Sequence, residues 1–70
     1  MKYRVKDLEK FENTVFGADD LLMFFPALET TGVTLVKQGK FYYVADSNNE
    51  PVSDSTFFSE EEVTSCLEPV

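Results

Sequence analysis

Histidine and tryptophan are absent from this 70-residue chain, and cysteine occurs once, as Cys66. Without histidine the chain lacks the side chain that most often serves as general base and most often ligates metal. A tetrahedral zinc site built from cysteine and histidine is excluded by composition. A single cysteine excludes an intramolecular disulfide and fits a reducing compartment. Basic residues are scarce, six against thirteen acids, and none follows Lys40. No apolar run approaches the length that spans a bilayer. The opening "MKYRVKDLEK" has basic residues but no apolar stretch behind them, unlike a secretory signal. We therefore expect a soluble cytoplasmic protein with no cofactor and no metal.

What is present is apolar and acidic. Seven phenylalanines, three tyrosines and a 43% hydrophobic content are too much for a disordered tail. A chain this short makes one domain, residues 1–70, and buries only roughly 60% of the surface its unfolded form exposes. Its stability margin is thin. Net charge is −7, and residues 41–70 hold seven acids and no base. Such a field repels nucleic-acid phosphates and anionic membranes and attracts a basic protein surface.

Along the chain, "KYRVK" alternates, with Tyr3 and Val5 on one face, and predicts a half-buried strand. Leu8, Phe11 and Val15 then recur at helical spacing, predicting a helix over 8–16 with Asp7 as N-cap and Gly17 as its end. In "DDLLMFFPALE", Asp19 or Asp20 can cap a short helix that must break before Pro26, since proline drives the preceding residue out of the α region. "PALETTG" supplies another helical turn closed by Gly32. A buried strand over 21–25 is the rival. "VTLVKQGKFYYVAD" predicts a hairpin around Gln38-Gly39, with Lys37 facing Lys40 and Leu35 facing Tyr42. Both hairpin faces are apolar, so the second is either covered or sticky. "DSNNE" predicts a turn, and "PVSDST" a third strand that Pro51 either confines to the sheet edge or starts. In "FFSEEEVTSCL", Ser59 and Glu62 form a capping box and Phe58 and Val63 a hydrophobic staple, opening a last helix that stops before Pro69.

These elements predict an α+β fold: a small antiparallel sheet of three to four strands, with two or three short helices packed on one side. No reaction can be read from the residues. Glu60, Glu61 and Glu62 resemble a carboxylate cluster but suit a helix start, where acids complement the exposed N–H groups. Asp46, Asn48 and Glu50 have calcium-loop spacing, yet the sixth position is Pro51 and the twelfth is Phe57. Cys66 lies on the apolar stripe of the last helix with no group to lower its pKa.

Two candidate surfaces remain. One is acidic and includes Asp46, Glu50, Asp54, Glu60, Glu61 and Glu68, which could offer carboxylates to side chains that normally grip phosphates. The other is apolar: Leu21, Leu22 and Leu28 are expected inside, with Met23, Phe24 or Phe25 left for a partner. We expect a non-enzymatic binder of a protein with a basic surface, such as a nucleic-acid-binding enzyme, with no direct nucleic-acid binding and no membrane binding. Small size, acid surplus and missing catalytic groups make the chain similar in class to inhibitors that phages and mobile elements direct against host nucleases, anti-CRISPR and anti-restriction proteins included. The alternative is an accessory subunit or adaptor docking through Met23–Phe25, with a homodimer through that patch as a variant.

Overall fold

The computed structural model describes residues 1–70. Its elements are β1 (Lys2–Val5), α1 (Leu8–Thr14), α2 (Ala18–Phe24), a 3-10 turn (Pro26–Glu29), β2 (Val33–Gln38), β3 (Phe41–Val44), β4 (Phe57–Ser59), α3 (Glu60–Cys66) and β5 (Leu67–Pro69). The strands form one antiparallel sheet in the order β4-β3-β2-β1-β5. The α+β class is as expected, but the sheet has five strands where the sequence predicts three or four. The fifth is β5, a three-residue strand pairing Tyr3 with Pro69, Arg4 with Glu68 and Val5 with Leu67.

The first helix begins as its residues predict, with the Asp7 side chain accepting from the Lys10 N–H at 3.2 Å. It ends earlier, because Val15 turns extended and places its side chain in the core. Phe16 is thereby left outside, and Gly17 at φ 72° becomes the N-cap of α2 rather than the end of α1. Asp19 and Asp20 lie within the first turn of α2 instead of capping it. Pro26 acts as expected: α2 stops at Phe24, and proline opens the 3-10 turn.

Hairpin register departs from the expected one by two positions. Leu35 pairs with Val44, Lys37 with Tyr42 and Gln38 with Phe41, so the loop is Gly39-Lys40. Gly39, at φ 66°, occupies the first central position, which type II′ turns reserve for glycine. The expected register would have set Lys37 against Lys40, and like charges directly opposite are destabilising. In the observed one the Lys37 ammonium lies 5.6 Å from the Tyr42 ring centre. A two-residue shift preserves every side chain's face.

Residues 51–56 do not form the third strand. Pro51 makes one isolated bridge to Ala45, and pairing with β3 resumes at Phe57. The edge strand β4 therefore falls on residues expected to be staple and cap. The capping box itself is complete: the Glu62 N–H donates to Ser59 Oγ at 3.2 Å, and the Ser59 N–H donates to Glu62 Oε1 at 2.8 Å. Replacing Ser59 with alanine should cost about 1 kcal/mol, within roughly 0.5–2. An unchanged midpoint in urea would mean that the box contributes nothing to α3.

The core lies on one side of the sheet. Leu35, Val44, Phe58 and Leu67 share one face by register, and they pack with Phe11, Val15, Ala18, Leu28, Val63 and Cys66 from the helices and the 3-10 turn. The alternating positions Val36, Phe41, Tyr43 and Phe57 share the opposite face, which supplies no core residue. Of the two outcomes open to the hairpin, the structure shows one covered face and one open face.

Candidate functional site

The acidic residues have different local roles. Asp46 is engaged: one carboxylate oxygen accepts from the N–H groups of Asn48 at 2.8 Å and Glu50 at 3.1 Å, closing the "DSNNE" turn. Asn49, at φ 61°, takes the left-handed position in that turn. Glu62 is held in the capping box, and Glu68 receives Arg4 at 3.0 Å in the one salt bridge of the chain. Glu50, Asp54, Glu60 and Glu61 are exposed and form no salt bridge.

These carboxylates do not form a single row. The turn carrying Asp46 and Glu50 follows β3, whereas Ser59, paired with Phe41, sets Glu60 and Glu61 at the strand's other end. The length of β3 separates the two groups by roughly 10–15 Å. Glu60 and Glu61 also border a depression that includes Lys37 and Lys40, so their field is partly offset there. The turn and the loop through Asp54 contain no base.

The apolar run divides between inside and outside. Leu28 is fully buried, while Leu21, Leu22 and Phe25 are partly buried against the core. Met23 and Phe24 are 67% and 70% exposed. Of the three residues expected to meet a partner, Met23 and Phe24 are available, and Phe25 is shared with the core.

The sequence reading missed two phenylalanines that complete this surface. Phe16 is 99% exposed and Phe57 is 40% exposed. With Leu21, Phe24 and Phe25 they line a groove of about 300 Å3 between α2 and the start of β4. Phe57 extends the groove onto the open sheet face, its ring centre lying 4.8 Å from that of Phe41 and 5.5 Å from that of Tyr43. A strip of aromatic surface thus runs from α2 across β4 to β3. Phe57 was legible in principle: neighbours in a strand point to opposite faces, so Phe57 and Phe58 cannot both enter one core. Phe16 lies off the Leu8, Phe11, Val15 spacing, a weaker sign.

Cys66 is fully buried, and no group of three or more histidine, cysteine, aspartate or glutamate side chains is placed to hold a metal ion. No helix is long and apolar enough to cross a membrane. No protein-family model, curated protein or solved structure matches the chain.

Proposed function

We propose that the chain acts by stoichiometric binding to another protein, presenting carboxylates to a basic surface and performing no chemistry of its own. The observation that carries this reading is the set Glu50, Asp54, Glu60 and Glu61, exposed and without salt bridges in a segment, residues 41–70, that contains no base. Carboxylates left free in this way attract lysine and arginine groups that hold phosphates in nucleic-acid-handling enzymes. An inhibitor that occupies such a surface is the particular form proposed, of the type phages and mobile elements produce. Exposure of Met23 and Phe24 favours the second reading, an adaptor docking through apolar contact.

The test replaces Glu50, Asp54 and Glu61 with lysine and compares capture of proteins from the source cell's lysate. The triple variant should fold and lose the basic partner that the original chain retains. Equal capture by both would overturn the charge reading. Asp46 is left intact because its side chain holds the turn.

A further inference from the structure

The groove between α2 and β4 has a chemistry that specifies its occupant. Phe16, Leu21, Phe24, Phe25 and Phe57 form its apolar wall, and Asp20 is its only charged residue. Asp20 also lines the adjoining depression, together with Glu12 and Asp19, and neither cavity includes a lysine or arginine. Gly17, in the left-handed conformation, separates α1 from α2 beside Phe16, whose ring is left almost wholly in water. The arrangement is a set of bulky apolar contacts beside carboxylates.

We propose that this groove binds a basic amphipathic segment of a partner protein, a bulky apolar side chain seated on the phenylalanines with lysine or arginine against Asp19 and Asp20. Charge complementarity selects this occupant. A second copy of the chain would bring the same carboxylates and a net charge of −7 to the groove. The chain's own basic residues lie in β1, at Lys6, in α1 and at the hairpin, outside both cavities. Aromatic anchors in a concave site, with charge at the rim, match the anatomy of protein-binding hot spots. The proposal rests on the protein-binding reading above, but not on the carboxylates Glu50, Asp54 and Glu61.

The test is selection from a random displayed peptide library on the intact folded chain. Enriched peptides should combine a bulky apolar residue with lysine or arginine. They should bind Phe24→Ala and Asp20→Asn about tenfold or more weakly, a typical loss for an interface anchor. Both altered positions are exposed, and melting curves matching the original chain establish that the variants remain folded. The peptides should bind the Glu50, Asp54 and Glu61 lysine variant undiminished. Loss on that variant with full binding to Phe24→Ala would overturn the groove and leave the charge reading standing. No enrichment, enrichment of neutral or acidic peptides, or equal binding to all variants would also overturn it. So would a dimer in sedimentation that Phe24→Ala dissolves, or Phe24-dependent adsorption to neutral phosphatidylcholine vesicles.

Discussion

Phe58→Ala should lower the domain's stability by about 3–5 kcal/mol. The Phe58 ring is fully buried, 6.0 Å from that of Phe11, and joins β4 to α1 through the centre of the core. A 70-residue chain has roughly 4–10 kcal/mol in total at typical per-residue stability, so the loss should take about a third of it or more and lower the urea midpoint sharply. Phe57→Ala, one residue earlier, is the control. Its ring lies on the open face against Phe41 and Tyr43, and its loss should cost about 1 kcal/mol. Urea titration followed by circular dichroism measures both. Similar costs for the two variants would mean that the sheet does not have one covered and one open face.

Gly32→Ala should be nearly as damaging, at roughly 2–5 kcal/mol, for two physical reasons that add. The residue has φ 88°, where a side chain is strained, and an added Cβ would lie 2.8 Å from both the Tyr3 carbonyl oxygen and Val70 Cγ2. Gly32 sits where the chain leaves the 3-10 turn for β2, passing beside β1 and the residue that follows β5. Gly39→Ala separates the two contributions. Its φ is 66°, but nothing lies within 4 Å of the added carbon, so only the conformational cost of about 1–2 kcal/mol remains. Equal losses at the two glycines would show that the close approach to Tyr3 carries no weight.

Legibility in the sequence followed the locality of each signal. The capping box of α3, the break at Pro26 and the alternation in β1 depend on neighbours within a few residues, and all three are present as expected. Hairpin register depends on cross-strand partners as well as on the turn: the observed one pairs Lys37 with Tyr42 rather than with Lys40 and moves the loop to Gly39-Lys40. Strand β5 has three residues, too few for a period, and its pairing partner β1 lies more than sixty residues away in sequence. The 51–56 segment has a single large apolar side chain, Val52, which is exposed, and it forms a loop with one bridge at Pro51 and local hydrogen bonds between Ser53 and Ser55. At the candidate site, Met23 and Phe24 were anticipated from crowding of apolar residues. Phe16 was not, because its exposure follows from the early exit of Val15 into the core.

The same division separates the two binding readings. Free carboxylates were visible from composition, but their separation into a turn group and a helix-start group required the register of β3 and β4. The groove required the tertiary approach of α2 to the residues before β4. Charge would draw a partner in from a distance, and the aromatic strip would hold it by contact. These contributions respond differently to salt. Exposed charge pairs weaken as the Debye length contracts from about 10 Å at 0.1 M to about 3 Å at 1 M, while apolar burial does not.

The most direct measurement is the dissociation constant of the captured partner across that salt range, for the original chain and for the Glu50, Asp54 and Glu61 lysine variant. If carboxylates carry recognition, affinity falls steeply with salt for the original chain, and the variant binds weakly throughout. An affinity indifferent to salt, retained by the lysine variant and abolished by Phe24→Ala, would contradict recognition through Glu50, Asp54 and Glu61 and leave docking through the aromatic strip in its place.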